Sequence, residues 1–346
     1  MVNMVDMIDN LLEEVTELIN DKVILITGGT GTFGNKITDI ILNKYRPRKL
    51  IIFSRDEYKQ HNMKQFFPDS KYSSIRYFIG DVRDYERLVV ATKNVNIIFH
   101  AAAMKQVDTI EYNPHEAIKT NIIGTENVIK AAIHNGIDKV IAISTDKCVN
   151  PINLYGATKL CLEKLIIHAN LMAGSNRTKF SVLRYGNVLN SRGSVIPLFQ
   201  SQNNSENSDF FTITDKSMTR FTLTIEQAIN FVLNSASIMI GGEIFVPKIN
   251  SYNILQITEC INPNKKIKII GKRPGEKLHE VMISSDESYR TLIKDSFFII
   301  VPEIKINYDY NQYYGNNYLP ENKPYSSDNN ELINLFQLKN LIKKIN

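Results

Sequence analysis

Between residues 22 and 187, six short β-branched runs alternate with longer stretches of helical periodicity, and this alternation confines the chain to one broad architecture. The runs are KVILITGG (22–29), KLIIFSRD (49–56), IRYFIGDV (75–82), NIIFHAAA (96–103), KVIAISTDK (139–147) and KFSVLRYGN (179–187). Near-continuous apolar strands followed by crossover helices are what a parallel sheet buried on both faces requires. Segments Thr32 to Tyr45, Asp84 to Lys93, Pro114 to Asn135 and Tyr155 to Ala173 have the length and period of such helices. Six βα units in series make a doubly wound, Rossmann-type α/β fold. Past residue 187 the pattern breaks. SQNNSENSD (201–209) is polar and turn-rich, GEIFVP (242–247) is a later strand, and 307–330 reads as a meandering surface segment closed by a short helix in ELINLFQLKNLIKKI (331–345). The expected organisation is an N-terminal amphipathic helix (1–20), a dinucleotide-binding domain (21–187) and a smaller α/β substrate lobe (188–346), some of whose segments return to the core.

At 346 residues the chain is long enough for a large domain with an appended lobe. With 43% hydrophobic and 22% charged residues it has a globular composition, and its net charge of +5 is spread over scattered lysines. Nothing in that distribution is a nucleic-acid footprint. Three widely spaced cysteines give neither a disulfide framework nor a metal spacing, which points to a reducing, cytoplasmic setting. Met4, Met7, Ile8, Leu11, Leu12, Val15 and Leu18 form one apolar stripe with an acidic opposite face. That stripe suits packing on the body or on a partner subunit better than a membrane surface, and no run approaches the ~18 apolar residues of a membrane span.

The first run leads into Thr27-Gly28-Gly29-Thr30-Gly31-Thr32-Phe33-Gly34 and then a helix. Glycines at 28, 31 and 34 let the backbone approach a pyrophosphate at the helix N-terminus. About twenty residues on, where the adenosine ribose belongs, stands Ser54-Arg55-Asp56-Glu57. Arg55 suits the 2′-phosphate of NADP, whereas Asp56 or Glu57 suits the free hydroxyl of NAD, so NADP is expected and NAD stays open. Asp81-Val82 and Ala101-Ala102-Ala103 close the third and fourth runs at the same edge, with Lys105 just beyond. After the fifth run come Ser144-Thr145-Asp146-Lys147, then Tyr155 and Lys159 four residues apart on one helical face. A cation beside a phenol favours its phenolate, so such a pair takes a proton from a sugar hydroxyl near neutral pH.

These features resemble the extended short-chain dehydrogenase/reductase superfamily, which modifies nucleotide sugars. Within it, SRDEYKQ (54–60), YFIGDVRD (77–84), HAAAMKQV (100–107), STDKCVNPINLYGATKL (144–160), RYGNVLNSRGSVIP (184–197) and RPGEKLHEVMISSD (273–286) are similar to the inverting UDP-N-acetylglucosamine 4,6-dehydratases of the pseudaminic-acid type. The resemblance implies Asp146 as general acid, Lys147 as base, Tyr155 and Lys159 as the hydride-step pair, and Thr145 bonded to the sugar. It implies a cofactor site that includes Ser54 to Lys59 (with Arg55, Asp56 and Glu57), Asp81, Val82 and Ala101. It places Lys105, Asn187 and Val195 against the substrate, Arg273 and Glu276 on the UDP part, and Arg220 on the diphosphate. Lys147 is expected to be a usable base through desolvation and crowding by Lys159. The retaining branch commonly carries Met where this chain has Tyr155, which favours inversion. The implied protein is a homo-oligomer that recycles its cofactor within each turnover.

Three features depart from the family pattern: the stretch 1–20, the polar run 201–209 where a more helical segment is usual, and Thr222 where an aromatic is common. His100, His115, His168 and His279 have no metal spacing and are expected to pack or face solvent. A 4-epimerase or reductase shares the Tyr/Lys pair but has no need of the Asp146-Lys147 acid and base. A non-catalytic cofactor sensor on the same scaffold would have lost Tyr155 and Lys159.

Overall fold

The structure, a computed structural model, describes residues 13–174, 178–189, 194–205, 209–306 and 308–344. Met4, Met7, Ile8, Leu11 and Leu12 of the N-terminal stripe lie outside the described residues. Its end is helix α1 (13–19), whose Val15, Leu18 and Ile19 are buried. Then follow β1 (Val23–Thr27), α2 (Thr32–Lys44), β2 (Lys49–Ser54), α3 (Glu57–Phe66), β3 (Ile75–Ile79), α4 (Tyr85–Ala91) and β4 (Ile97–His100). Helices α5 (Val107–Tyr112) and α6 (Pro114–Ile118), a π-helical turn (Lys119–Ile123) and α7 (Gly124–His134) lead to β5 (Lys139–Thr145). A 3₁₀ turn (Asp146–Cys148), α8 (Leu154–Met172) and β6 (Lys179–Tyr185) complete this half.

These six strands are parallel in the order β3-β2-β1-β4-β5-β6. All five residues of β1 are buried, which is why its sequence shows no alternation. One face is covered by α1 and α2, the other by α4, α7 and α8, giving two apolar layers. Each fully buried Ile or Phe there, such as Ile26 or Phe99, contributes roughly 1.5–3 kcal/mol.

The remainder comprises α9 (Val195–Asn204), β7 (Phe210–Ile213), β8 (Thr219–Phe221), α10 (Ile225–Ile238), β9 (Ile244–Pro247), β10 (Ser251–Asn253), α11 (Ile254–Ile261) and β11 (Lys266–Ile269). It continues through β12 (Val281–Ile283), α12 (Ser285–Ser288), β13 (Thr291–Ile293), β14 (Phe297–Ile300), α13 (Tyr310–Tyr314), β15 (Tyr325–Ser326) and α14 (Leu335–Lys344). A third core, with Ile196, Phe199, Phe211, Ile257 and Leu338, holds α9, α11 and α14 over the β7–β11 pair.

Several expectations are corrected here. The GEIFVP strand belongs to the main sheet: β9 pairs in parallel with β6, and β14 and β13 extend the sheet antiparallel to nine strands. The strand's burial on both faces, not its place in the sequence, decides this. The polar run 201–209 begins as helix, because α9 continues to Asn204. Within 307–330, Tyr310 and Tyr314 are buried, their hydroxyls donating to Gly241 O at 2.6 Å and to the Glu243 carboxylate at 2.7 Å. The short helices α3 and α5 were not anticipated, since six to ten residues give too little period to read.

Candidate active site

At the carboxyl end of β1, Gly28 adopts φ +67, and a Cβ there would lie 2.8 Å from the Ala102 backbone. A Cβ on Gly34 would come 2.1 Å from Gly29 O, so α2 approaches the turn only because position 34 is glycine. Asn35 Nδ2 pins the turn by donating to Thr30 O and Gly31 O. No side chain caps α2, whose N-cap is Gly31, leaving its first N–H groups to an anion. The glycine cradle and uncapped helix end fit a dinucleotide pyrophosphate. Behind the turn, buried His100 bridges the hydroxyls of Thr27 and Thr125 and is pushed down to about 3 by burial, a packing role.

Beyond the turn Ser54 is buried and its hydroxyl accepts from Gln60. Asp56 is the N-cap of α3: it accepts from the Lys59 backbone at 2.9 Å and meets Lys59 Nζ at 3.0 Å, and these contacts hold it below the usual carboxylate range. Glu57 is exposed in the first turn of α3. Asp81 is held by Arg83 at 2.7 Å and only loosely by Arg55 at 3.7 Å, so of the two cations of this rim Arg55 is the less engaged, Lys59 being paired with Asp56. Val82 is buried against Gly124.

A cavity of about 510 Å³ opens between the sheet edge and the lobe. Thr32, Phe33, Ala101 and Lys105 line its sheet side, Thr145, Lys147, Tyr155 and Lys159 its floor, and Asn187, Val195, Arg220, Arg273 and Glu276 its far wall. Helix α8 reaches the floor because Gly156 carries no Cβ, which would sit 2.1 Å from Lys147 O. Its N-cap Asn153 also ties the lobe to it, donating to Gly275 O at 2.9 Å. Arg273 is exposed, and its N–H donates to Glu276 Oε2 at 3.2 Å. Arg220 donates to the carbonyls of Thr219, Leu278 and Lys277, so much of its fork already holds the loop that carries Glu276.

On the floor, Thr145 donates to Asp146 Oδ1 at 2.8 Å and lines the cavity together with Tyr155. Lys147 Nζ lies 3.1 Å from Asp146 Oδ1, 2.8 Å from Asn187 Oδ1 and 3.6 Å from Glu280 Oε1. Burial disfavours the Lys147 ammonium, but the Asp146 and Glu280 carboxylates outweigh it and hold the group above the ordinary lysine value. This corrects the expectation of a Lys147 discharged by Lys159. It is Lys159 that burial pushes down to about 8, and its Nζ donates to Ile143 O at 2.6 Å. The cation that acts on Tyr155 is likewise Lys147: burial pushes the phenol up to about 12, with the Lys147 charge opposing. Helical spacing alone gave no means of ranking the two lysines. Two residues were missed, one that braces the segment after β4 and one that lines the cavity. Buried Asn121, in the π-helical turn, bonds Met104 N, Met104 O and Thr158. Glu280 lies inside the 273–286 motif, yet nothing local marked it as facing Lys147.

A 3-2-1-4-5-6 parallel order, an uncapped glycine turn and a Thr/Lys/Tyr floor define a Rossmann-type enzyme of the short-chain dehydrogenase/reductase class. The chain belongs to the polysaccharide biosynthesis protein family, whose profile it matches over residues 24–302. It is 53% identical to a UDP-N-acetylglucosamine 4,6-dehydratase (inverting) of Campylobacter jejuni, covering 84% of this chain and 85% of the relative. It is 41% identical to a UDP-glucose 4-epimerase of Rickettsia bellii, covering 93% and 95%. Among solved structures, Pen from Bacillus thuringiensis superposes with a TM-score of 0.84 at 40% identity, covering 94% of this chain and 99% of that one. No described helix is long and apolar enough to cross a membrane.

Proposed function

We propose that this enzyme converts UDP-N-acetylglucosamine to UDP-2-acetamido-2,6-dideoxy-β-L-arabino-hex-4-ulose by 4,6-dehydration with inversion at C5. The observation that carries this reading is the pairing of Lys147 with a carboxylate at 3.1 Å on the floor of a cavity that Tyr155 also lines. A bound nicotinamide dinucleotide supplies the acceptor of the C4 hydride and its return to C6. Tyr155 takes the C4 hydroxyl proton, and the resulting ketone acidifies C5–H. Transfer of one proton from Lys147 Nζ to Asp146 Oδ1 then makes both groups the elimination needs, an amine and a carboxylic acid. Lys147 removes the C5 proton. Asp146, just behind the cavity wall, gives its proton through the Thr145 hydroxyl to the departing C6 hydroxyl, which leaves as water. The pair thereby returns to ammonium and carboxylate, a solvent proton reaches C5 on the face opposite Lys147 and so inverts that centre, and Tyr155 releases its proton to solvent. Arg273 and Glu276 belong to the UDP end, with Lys105, Asn187 and Val195 nearer the sugar. Arg220, engaged with three carbonyls, acts on the diphosphate mainly by placing that loop.

Incubation of purified enzyme with UDP-N-acetylglucosamine in deuterated buffer, followed by proton NMR, tests the reading. The expected product is a 4-keto-6-deoxy sugar with deuterium at C5 and L-arabino couplings, with no net cofactor reduction. Accumulation of the 4-epimer instead would overturn it in favour of the activity named for the Rickettsia relative.

For the cofactor we favour NADP, held by Arg55 and Lys59 at the N-terminus of α3. Asp56 is already engaged as a cap and by Lys59, which leaves Arg55, its side chain 58% exposed, to meet a 2′-phosphate. Arg55→Ala is expected to weaken NADPH binding about 10- to 100-fold, the range of a lost charge-assisted hydrogen bond or two. NADH binding should change little, and fluorescence titration of both cofactors checks the difference.

A further inference from the structure

Glu280 is 3% exposed, stands at the entry to β12 and lines the cavity, whereas Asp146 lies behind its wall. The backbone around it is clamped, Glu280 N–H donating to Ser327 Oγ at 2.9 Å and Ser327 N–H to Glu280 O at 2.8 Å. One carboxylate oxygen faces Lys147 at 3.6 Å and Arg220 at 3.5 Å. The other has no hydrogen-bond partner among the described residues. A carboxylate kept only to brace the fold would have both oxygens satisfied, since an unpaired buried oxygen is costly. We propose that Glu280 is a positioning residue for Lys147, holding its ammonium at the cavity wall beside Asn187 and setting the pH at which it sheds its proton.

The charges around Lys147 make the effect directional. Asp146 and Glu280 are the anions that face it, and Arg220, Lys105 and Lys277 are the cations. The phenols of Tyr155 and Tyr252 complete its surroundings. Without Glu280, three cations would face Lys147 against one carboxylate, and its ammonium would be disfavoured. Arg220 would lose a partner from the same change, so the lobe loop and the catalytic floor are joined through this one carboxylate.

The inference rests on the proposed role of Lys147 as base, so its test includes a reading independent of turnover. In the full chain labelled at lysine Cε, with the Lys147 signal assigned by its loss in Lys147→Arg, wild-type Lys147 should stay an ammonium through the ordinary lysine midpoint of about 10.4. In Glu280→Gln the same signal should titrate at least about one pH unit lower than in wild type. The high-pH limb of kcat, where the Lys147–Asp146 pair loses its single proton, should move the same way, and Glu280→Asp should restore the limb toward wild type. An unshifted Lys147 titration in a folded Glu280→Gln variant would falsify the inference, and so would a kcat limb unmoved beside normal KM. If wild-type enzyme leaves UDP-N-acetylglucosamine unchanged, the functional reading fails, while the titration still decides the relation of Glu280 to Lys147.

Discussion

Tyr155→Phe lowers kcat by about 10²- to 10⁴-fold, the range expected when a positioned general base is removed, with little change in KM or melting temperature. The phenol lines the cavity, and phenylalanine keeps the ring while removing only the hydroxyl. The hydroxyl is therefore lost without a cavity or a displaced helix. Burial raises the phenol to about 12, and the Lys147 charge is the main force drawing it back toward the phenolate that a base must be. The neutralising variant Lys147→Met should for this reason impair C4 oxidation as well as C5 exchange. Steady-state turnover beside a thermal melt settles the matter. Near-wild-type kcat in a folded Tyr155→Phe protein would remove Tyr155 from the chemistry.

Glu163→Ala is expected to destabilise the protein by roughly 3–5 kcal/mol, the cost of leaving a buried charge with a broken partner set. Arg184 on β6 is 1% exposed. Its guanidinium donates to both oxygens of Glu163, at 3.0 and 2.6 Å, to both oxygens of Glu287, at 2.9 Å each, and to Met282 O. Glu163 also accepts from the buried Cys148 thiol at 2.9 Å. The network joins α8, β6, α12 and the 3₁₀ turn that carries Asp146 and Lys147. Its loss therefore loosens the floor of the site as well as the core. The exposed pair Lys130–Glu126, though as short as 2.6 Å, serves as the contrast: removing it should change stability by less than about 1 kcal/mol. Urea unfolding midpoints of the two variants make the comparison, and equal, small shifts would show that the Arg184 cluster is not a structural brace.

The parallel sheet was legible because its evidence is local. A β-branched run buried on both faces, as in Ile24 to Ile26, looks the same wherever it lies in the sheet, and helices as long as α2 and α8 carry enough turns to show their period. The glycine turn was legible for a similar reason: a left-handed φ at Gly28 and the missing Cβ at Gly34 are demands that only glycine meets. Less visible was where the later strands go. β9 carries no mark of its neighbour, and its place beside β6 follows from the space the first six strands leave. The tyrosines at 310 and 314 look like surface residues until Gly241 O and Glu243 are brought to them.

For the site, residue types and spacing picked out the Thr145-Asp146-Lys147 run, Tyr155 and Lys159 as candidates, and the structure brings Thr145, Lys147, Tyr155 and Lys159 to one cavity. Each lies within a single βα unit, where local geometry constrains how neighbours face one another. Only the tertiary structure decided the charge state in which they meet. It put Glu280, from a distant loop, against Lys147, and it set Lys159 under a backbone carbonyl of β5. Electrostatic energy depends on distance and on the exclusion of water, and neither is a function of separation along the chain.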